Sequence, residues 1–524
     1  MKSTNGTQNS LKLYVKGVNN MKAEILLTRQ YRDRLLDDPY RSTYHFAIPD
    51  DCGMPGDPNG AFFADGVYHL MYLYKNSETD CFNWGHVSSI DLVHWRHHHD
   101  AITAIDGSRG CYSGGAFVDD DKTAYISYWQ LPTKENSGGI YLAYSYPPYD
   151  DWTLMNEPAV ESSSRWYRGI TDIEVDGKTV HIASADPSNI WKADGKYYML
   201  TGNKPVIDQF GRAEDAECEY TGDWTDLFSS VDLKTWEWRG RFYNNDKRGV
   251  DGWPDKTEDN MCPSFLPLFD AKENGKHSGK YLLLFISHNK GCQYYIGSMD
   301  GERFIPEMHG RMAWADTEYF APEALIDDKN RHISWSWLRD NGFDKFKKFG
   351  WSGEFSLPRV LWLEDGELKM SPVSELDNLQ YAHSAYTPEC GDTVPVLDGE
   401  LCRIKGVWSG KEKCGLAVRV NDTSDERVEI YYSPEEGTLV MDTTKCTGNA
   451  PKVLEKAPFS LRDGEDLSLD VFIDKAVIEV FANDRQAISR RVYPNDPKSC
   501  LGVRLIGEKP EKLDTYKMFP ANPY

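Results

Sequence analysis

The segment ADGVYHLMYLY, residues 64–74, runs from a tight polar turn into a short strand of aromatic and aliphatic residues. The same theme returns at wide, loose spacing as DDKTAYISYWQ from Asp120, ADGKYYMLTGN from Ala193, SGKYLLLFISHN from Ser278 and DKNRHISWSWL from Asp328. Turn-and-strand units repeated in this way are typical of a propeller built from four-stranded blades. Five copies of the unit therefore predict five blades.

A second repeat supports this interpretation. The segments SSIDLVHW, from Ser88, and SSVDLKTW, from Ser229, share a serine pair that is followed by Asp-Leu and a tryptophan. The alternative is a sandwich of unrelated hairpins, because turn signals between strands are common in all β proteins. Two themes that recur in one chain favour the propeller.

The sequence pattern changes near Leu376. The segment GWSGEFSLPRVLWLEDGELKMSPVSELDNL, from Gly350, is interpreted as a bridge that ends in a short helix. After it, alternating strands such as ERVEIYYS, from Glu426, are separated by polar loops, which is typical of a β-sandwich. The sequence thus predicts an all-β chain in three parts, which are an N-terminal lead-in (1–40), a five-bladed propeller (41–375) and a C-terminal sandwich (376–524).

Composition argues against several classes of function. The 524 residues carry a net charge of −23, and so acidic a surface repels nucleic acids and anionic membranes. No run approaches the roughly 18 apolar residues of a membrane-spanning helix. The 11 cysteines are scattered without the paired spacing of a metal site. The 16 Trp, 30 Tyr and 21 Phe fit a protein that handles sugars, although a β-rich fold explains them equally well.

The N-terminal stretch MKSTNGTQNSLKLYVKG contains no continuous apolar segment, so it does not resemble a secretory signal. We therefore expect a cytoplasmic protein with reduced cysteines, or a secreted one if a leader has been removed.

Three consecutive histidines, His97–His99, are predicted to lie on a blade edge. Adjacent residues of a strand point to opposite faces, so these three rings do not form one metal site.

Seven motifs follow one another along the chain: GDPNG from Gly56, WGHVSSIDLVHW from Trp84, YSGGA from Tyr112, ADPSNIW from Ala185, EDNMCPSFLPL from Glu258, GWSGEFSLPRVL from Gly350 and VIEVFAND from Val477. In this order they resemble glycoside hydrolase family 32, the β-fructofuranosidases, invertases, inulinases and levanases. The resemblance covers nearly the whole chain from about Tyr44 onward. It implies a five-bladed β-propeller followed by a C-terminal β-sandwich.

Glycoside cleavage needs two carboxyl groups, one that protonates the leaving oxygen and one that attacks the sugar or activates water. The first strands of successive blades converge at the propeller axis, so carboxylates far apart in sequence can meet there. The resemblance implies that Asp57 is the nucleophile of a retaining reaction and that Asp186 stabilises the transition state. The alternative for both is an ordinary turn aspartate beside a proline.

The acid/base residue is harder to place. The family has a glutamate directly before Cys-Pro, and that position is Met261 here. We predict that Glu258 takes the role, with apolar neighbours that raise its pKa, and Asp259 is the next candidate. The other interpretation of this polar, turn-rich segment is a solvated acidic loop.

Four positions that line the fructose subsite in the family also differ here, at Met54, Gly56, Leu73 and Ala185. Lost hydroxyl contacts are costly unless other groups replace them, so we expect a rebuilt pocket. The residues predicted to bind substrate are Asn59, Trp84, His86, Arg109, Ser113, His288 and Glu323. Structural roles remain open for Trp84 in the core, for His86 and His288 as partners of buried backbone groups, and for Glu323 as a blade contact.

The expected activity is a retaining hydrolysis of β-fructofuranosidic linkages in levan, inulin or sucrose-like oligosaccharides. Two alternatives stay open. One is a fructosyltransferase of the same fold that forms a difructose anhydride from levan or inulin. The other is a non-catalytic carbohydrate-binding protein, because Met261 offers no proton.

Hydrolysis by paired carboxylates needs no cofactor. The expected partner is a fructose-containing oligo- or polysaccharide, and the chain is expected to bind neither nucleic acid nor membrane. The sequence does not decide between a monomer and a homo-oligomer.

Overall fold

A computed structural model describes residues 37–49, 56–105, 107–163, 169–243, 247, 249–339, 351–446 and 451–521. Nearly all of the predicted lead-in, 1–40, and the departure at Met54 lie outside these ranges. Within them the chain is all-β, with antiparallel pairing between neighbouring strands and only short helical turns. None of the described helices is long and apolar enough to cross a membrane.

Five sheets of four or five strands follow one another along the first two thirds of the chain. Blade 1 contains β1 (Pro58–Ala64), β2 (Val67–Asn76), β3 (Cys81–Ser89) and β4 (Arg96–His97). Blade 2 contains β5 (Ala116–Val118), β6 (Ala124–Gln130), β7 (Gly139–Ser145), β8 (Thr153–Leu154) and β9 (Val160–Glu161). A separate hairpin, β10 (Ile170–Val175) and β11 (Lys178–Ala183), precedes blade 3.

Blade 3 contains β12 (Trp191–Ala193), β13 (Lys196–Thr201), β14 (Asp226–Ser230) and β15 (Glu237–Arg241). Between its second and third strands lie an α-helical turn (Lys204–Val206), a π-helical turn (Ile207–Gly211) and a 3-10 turn (Cys218–Tyr220). Blade 4 contains β16 (Met261–Phe269), β17 (His277–Ser287), β18 (Gly291–Asp300) and β19 (Arg303–Arg311). Blade 5 contains β20 (Tyr319–Ile326), β21 (His332–Leu338), β22 (Glu354–Phe355), β23 (Arg359–Glu364) and β24 (Glu367–Pro372).

The five repeated turn-and-strand segments form β2, β6, β13, β17 and β21, the second strand of each blade. Their residues are buried in continuous runs rather than in alternation, as in β21, where all seven residues are buried. A strand in the middle of a stacked blade is covered on both faces by the neighbouring blades, so both sets of side chains are apolar. The prediction of five blades is confirmed.

The second repeat forms the turn between the third and fourth strands of blades 1 and 3. In blade 1, Asp91 Oδ1 accepts hydrogen bonds from the backbone N–H groups of Val93 and His94, at 3.2 and 2.9 Å. In blade 3, Asp232 Oδ1 accepts the equivalent bonds from Lys234 and Thr235, at 2.9 and 2.8 Å. Aspartate is favoured in both copies because its side chain closes the turn.

The predicted histidine edge lies where the sequence placed it, because β4 is the edge strand of blade 1. His98 follows that strand, with Nε2 2.7 Å from Ser88 Oγ and Nδ1 2.6 Å from Asp150 of blade 2. The ring thus links two blades. In the part of the chain that the structure describes, no group of three or more His, Cys, Asp or Glu side chains could hold a metal ion.

The segment from Gly350 is not a free bridge. Its described residues supply β22, β23 and β24, so they complete blade 5, and β21 pairs with both β22 and β23. The short helix that was predicted at its end is a 3-10 helix, Ser374–Leu379. The apolar residues of this segment are buried because they cover the last blade.

The C-terminal part is a sandwich of a six-stranded and a five-stranded antiparallel sheet. The first sheet contains β25 (Gln380–Ala385), β26 (Leu401–Trp408), β31 (Leu467–Asp474), β32 (Val477–Ala482), β33 (Gln486–Arg491) and β35 (Lys512–Met518). The second contains β27 (Cys414–Val420), β28 (Val428–Ser433), β29 (Thr438–Asp442), β30 (Leu454–Pro458) and β34 (Gly502–Gly507). A 3-10 turn, Pro388–Cys390, follows β25. The ten described cysteines are all unpaired thiols.

Buried ion pairs join the propeller to the sandwich. The ring of His45 lies between Asp474 and Glu479 of the sandwich, at 3.0 and 3.1 Å, and all three side chains are fully buried. Glu479 also accepts a 2.8 Å bond from Arg359 of blade 5. Buried charges are tolerated only when each is paired, so these contacts fix how the two domains pack.

We expect this junction to weaken in alkaline solution. Burial lowers the pKa of His45, but its bonds to Asp474 and Glu479 outweigh burial and raise it to about 9. A histidine whose pKa is raised on folding stabilises the protein fully below its usual value of 6.5 and loses that contribution as the pH rises through 9. The free energy of unfolding should fall by up to roughly 3 kcal/mol across this window.

Urea unfolding at several pH values between 6 and 10 measures this loss. His45→Gln should be less stable at the acidic end and should lose much less stability as the pH rises. A matched control is His383→Gln, because His383 is half exposed and pairs with Asp514 on the sandwich surface. Parallel curves for wild type and His45→Gln would show that His45 is not the titrating group.

Candidate active site

A cavity of about 520 Å³ opens at one end of the propeller axis, and all five blades contribute to its wall. Residues near the first strand of each blade reach it: Asp57 in blade 1, Ser113 in blade 2, Asp186 in blade 3, Met261 in blade 4 and Phe320 in blade 5. The other lining residues are Leu73, Tyr112, Trp129, Lys204, Pro205, Asp208, Cys262, Ile286, His288, Trp337 and Arg339.

A larger cavity, about 660 Å³, lies on the sandwich. Three of the four carboxylates in its wall are paired with cations, Glu465 with Arg485 at 2.5 Å, Asp470 with Arg403 at 2.6 Å and Asp514 with Lys512 at 3.2 Å. Carboxylates held in this way on an open surface are poorly suited to acid–base chemistry. The propeller cavity, in contrast, contains two buried carboxylates without a direct cation partner, so it is the candidate active site.

Direct contacts between neighbouring blades bring the lining residues together. The amide of Asn189, just after Asp186, donates to the Phe265 carbonyl of β16 at 3.0 Å and accepts from the Phe265 N–H at 2.8 Å. A Cβ atom at Gly115 would lie only 2.2 Å from the Asn189 nitrogen. Gly115, the second glycine of the YSGGA motif, is therefore required, because blades 2 and 3 meet backbone to backbone beside Ser113.

Asp57 is buried at the start of β1, with 8% of its surface exposed. Ser113 Oγ donates a 2.5 Å hydrogen bond to its Oδ2 atom, and its carbonyl accepts from the Leu73 N–H at 2.9 Å. Burial raises the pKa of Asp57, while the bond from Ser113 and the positive charges of Arg339 and His288 oppose this rise. The carboxylate is thus fixed in position and its charge is partly stabilised.

Asp186 lies in the same cavity and is 6% exposed. The Cys262 thiol is 3.6 Å from Oδ2, and Oδ1 has no hydrogen-bond partner among the described residues. Burial, followed by the negative charge of Asp57, raises the pKa of Asp186 to about 7. Its backbone is in the left-handed region, with φ at 35°. An unpaired carboxylate oxygen in a strained turn is available for a ligand hydroxyl.

Arg339, which was not predicted from the sequence, brings a positive charge into the cavity. Its guanidinium stacks 4.4 Å from the Phe320 ring centre and donates to Thr317 Oγ1 at 3.1 Å. Arg339 directly follows β21, the fifth repeated strand. The only indication in the sequence was therefore a charged residue at the end of that strand. It supplies a guanidinium to a site whose family arginine is replaced by Ala185.

Glu258 does not line the cavity, which contradicts its predicted role as the acid/base. Arg311 binds both of its oxygens, at 2.9 and 3.0 Å, and the Gln293 amide donates to Oε2 at 3.1 Å. The side chain is 2% exposed inside blade 4. Both carboxylate oxygens are thus occupied by partners within blade 4, so the group is not placed to reach a substrate in the cavity. Asp259, the second candidate, does not line the cavity either, but it hydrogen-bonds to His288, which does.

Met261 occupies the position of the family glutamate, and its side chain does line the cavity. Its sulfur accepts a 3.4 Å hydrogen bond from the backbone N–H of Lys204. A thioether cannot donate a proton. The site therefore has two aspartates where the family has them and no carboxyl group at the third position.

Of the seven residues predicted to bind substrate, only Ser113 and His288 line the cavity. Trp84 is fully buried in the core and donates to the Tyr112 carbonyl, and His86 is fully buried in a stack with His69 and His98. The structure supports the core alternative for Trp84, whereas the His86 ring contacts the His69 ring at 3.0 Å rather than the predicted backbone group.

The remaining three predicted residues also lie outside the wall. Asn59 supports the nucleophile turn, because its amide donates to the Asp57 carbonyl at 3.1 Å. Arg109 is exposed and lies 3.5 Å from Asp80. Glu323 is buried in β20 and accepts from the Ala324 N–H at 2.9 Å, and burial raises its pKa to about 8. None of the three is placed to touch a sugar in the cavity.

Comparison with known proteins decides the family. Residues 45–372 match the model of the glycosyl hydrolases family 32 N-terminal domain, and residues 379–518 match the model of the family 32 C-terminal domain. The chain belongs to glycosyl hydrolase family 32. It is a glycoside hydrolase of that family, and its two domains together span most of the sequence.

Its curated relatives are distant but cover most of the length of this family 32 chain. A fructan 6-exohydrolase of Beta vulgaris is 24% identical and aligns with 87% of this chain and 82% of its own. A sucrose-6-phosphate hydrolase of Klebsiella pneumoniae is 25% identical, with 89% and 92% covered. The crystal structure of fructan 1-exohydrolase IIa from Cichorium intybus has a TM-score of 0.75 at 20% identity, with 93% and 98% covered.

The pH dependence of this family 32 enzyme should reveal the role of Arg339. The guanidinium lowers the pKa of Asp57, so in Arg339→Gln the carboxylate becomes harder to ionise. The acidic limb of the kcat/KM profile should move to higher pH, so the loss of kcat/KM relative to wild type should be largest at the acidic end of the profile. The control is Arg109→Gln, on the exposed surface. An acidic limb at the wild-type position would contradict a charge effect on Asp57.

Proposed function

We propose that this chain is a retaining β-fructosidase that cleaves β-fructofuranosidic linkages in fructo-oligosaccharides or fructans. The observation that carries the proposal is the buried Asp57 carboxylate, which is held by Ser113 and shares one cavity with Asp186. Several curated relatives support the substrate class, because their names describe fructan exohydrolases, β-fructofuranosidases and sucrose-6-phosphate hydrolases.

In the proposed reaction, Asp57 attacks C2 of the fructosyl unit while the bond from C2 to the leaving oxygen breaks. The product of this step is a fructosyl ester of Asp57. Water then attacks C2 from the side that the leaving group vacated, the ester bond breaks and the carboxylate is restored. Two inversions give net retention.

Asp186 is proposed to hold a sugar hydroxyl through its unpartnered Oδ1 atom. Hydrogen bonds of this kind stabilise the transition state when they strengthen as charge develops on the sugar. The apolar side of the cavity, formed by residues such as Trp129, Phe320 and Trp337, covers the faces of the ring that carry no hydroxyl. Burial of these surfaces excludes bulk water from the site.

One observation favours a second candidate, a carbohydrate-binding protein without turnover. Met261 replaces the glutamate that donates the proton in the family, and the predicted substitute, Glu258, is held by Arg311 away from the cavity. Without any proton donor, the two aspartates would bind a fructoside but would not release its leaving group efficiently. Turnover therefore has to be measured directly.

Product analysis distinguishes the candidates. The protein is incubated with sucrose, sucrose 6-phosphate, 1-kestose, inulin and levan, and the products are separated by chromatography beside those of Asp57→Asn. Release of free fructose by the wild type alone supports hydrolysis. Elongated or cyclic products would show a fructosyltransferase. A rise in melting temperature with one sugar, without any product, would show a binding protein and would contradict the proposal.

A further inference from the structure

This inference rests on the proposed function and concerns the proton that the leaving group needs. An alkoxide is a poor leaving group, so cleavage of a sugar–sugar bond requires a general acid within reach of the bridging oxygen. The acid has to lie toward the cavity mouth, since the fructosyl unit occupies the inner end beside Asp57. Met261 cannot act, and Glu258 is held elsewhere.

His288 is a titratable side chain that meets this description. It lies in the turn between β17 and β18, lines the cavity, and is 43% exposed, far more than Asp57 or Asp186. Its positive charge lowers the pKa of both aspartates, so the ring is within electrostatic reach of the site. Among the described residues nothing hydrogen-bonds to its Nε2 atom, which is therefore available to a ligand.

Asp259 fixes the orientation of this ring. Its Oδ2 atom is 2.7 Å from His288 Nδ1, and its Oδ1 atom accepts from the His288 backbone N–H at 3.1 Å. The carboxylate is 1% exposed, and the ring also meets the edge of Phe320 at 5.6 Å. A buried carboxylate on Nδ1 fixes the orientation of the ring and leaves Nε2 as the nitrogen that can exchange a proton with a ligand.

Other groups in the cavity are less suited to this role. Asp208 lies near the mouth, but its bonds from Lys204 and Arg212 outweigh its burial and lower its pKa, so it stays ionised. Burial raises the pKa of the Cys262 thiol well above its usual range, and that thiol is directed at Asp186. Asp186 itself is buried at the inner end, where the fructosyl hydroxyls lie in the proposed reaction.

We propose that His288, oriented by Asp259, is the acid/base residue of this enzyme in place of the family glutamate. In the first step Asp57 forms its bond to C2, the bond from C2 to the leaving oxygen breaks, and that oxygen takes the Nε2 proton of the imidazolium. In the second step the neutral imidazole accepts a proton from water as its oxygen attacks C2 and the bond to Asp57 breaks. His288 is then an imidazolium again.

The test compares two leaving groups. One substrate is 1-kestose, whose sugar leaving group needs a proton, and the other is a nitrophenyl β-fructofuranoside, whose nitrophenolate leaves without one. In His288→Gln, kcat/KM for 1-kestose should fall about 10²- to 10⁴-fold. Release of nitrophenolate in the first turnover should stay within about tenfold of wild type, as a burst of one equivalent, because only the second step then lacks its base.

Azide provides an independent readout, since it attacks C2 without losing a proton. Azide should speed steady-state turnover of the nitrophenyl substrate by His288→Gln and yield fructosyl azide, and it should not speed the wild type. Asp259→Asn, which alters a positioning residue, should give the same pattern with a smaller loss. The control is His277→Gln, on the same blade but outside the cavity, and melting temperatures are recorded for each variant.

The outcomes separate this inference from the proposed function. Suppose that the wild type releases nitrophenolate but His288→Gln loses activity toward both substrates equally, or toward neither. His288 is then not the acid/base, and the β-fructosidase assignment stands. If the wild type cleaves neither substrate, the proposed function fails and this inference fails with it. Should His288→Gln melt early, His288→Asn is measured in its place against the same two substrates.

Discussion

Replacing Asp57 by asparagine should lower kcat for 1-kestose or sucrose by about 10⁴-fold or more. The carboxylate is the only protein group in the proposed reaction that forms a bond to C2, and an amide oxygen is a far weaker nucleophile. In other enzymes, removal of a covalent nucleophile lowers kcat by a factor of this size. The loss should be the same for nitrophenyl and sugar leaving groups, because both require the attack.

The fold should tolerate this change. Asp57→Asn keeps the side-chain volume and an oxygen that can accept from Ser113, so the melting temperature should not fall. Ser113→Ala is the matched variant, since it removes only the 2.5 Å hydrogen bond, and its activity should fall by roughly 10- to 100-fold. Activity of Asp57→Asn within tenfold of wild type would show that another group attacks the sugar.

Asp186→Asn should lose activity and gain stability at the same time. We expect kcat/KM to fall about 10²- to 10³-fold, because the transition state loses a hydrogen bond to a charged acceptor. In the free protein, burial and then the nearby Asp57 raise the pKa of Asp186 from 3.8 to about 7. Above that pH the folded protein holds an unfavourable buried charge, which asparagine removes.

The sign of the pH dependence follows from the raised pKa. The wild type loses stability as the pH rises from about 4 to 7, since the unfolded chain has already released the proton that the folded site keeps. The stability gain of Asp186→Asn should therefore be larger at pH 8 than at pH 5, up to roughly 4 kcal/mol. Urea unfolding at both values measures the gain. A variant that is less stable than wild type at pH 8 would contradict the buried-charge account.

The repeated strands made the fold predictable from sequence. Residues such as those of β21 are buried on both faces, so each blade preserves one apolar run after a polar turn, and five runs identified five blades. The fifth blade was incompletely predicted, because β22–β24 lie in the segment from Gly350 that was interpreted as a bridge.

The active site was predictable only where residues kept their place in a motif. Asp57, Ser113 and Asp186 sit at the inner ends of blades, and motif order placed them in one cavity. Glu258 was wrongly placed, because its distance from the cavity depends on a contact with Arg311, which lies at the end of β19, far along the chain. Contacts of this kind have no local sequence signal.

Arg339 and the pair formed by Asp259 and His288 illustrate the same limit. His288 was predicted to bind substrate. Its contact with Asp259, however, forms between two loops of blade 4 that meet only in the folded chain. Arg339 carries no motif and reaches the cavity by stacking on Phe320. Side chains that take the place of missing family residues lie at other positions of the chain, so they are found from the folded structure.

The most direct test of the account is the configuration of the product formed in methanol. Transfer of the fructosyl unit from 1-kestose to methanol gives a methyl fructofuranoside, whose anomers do not interconvert and are distinguished by carbon NMR. Attack by Asp57 followed by attack of methanol on the ester predicts methyl β-fructofuranoside in the wild type and no product in Asp57→Asn. Formation of the α anomer would show a single displacement and would contradict Asp57 as the nucleophile.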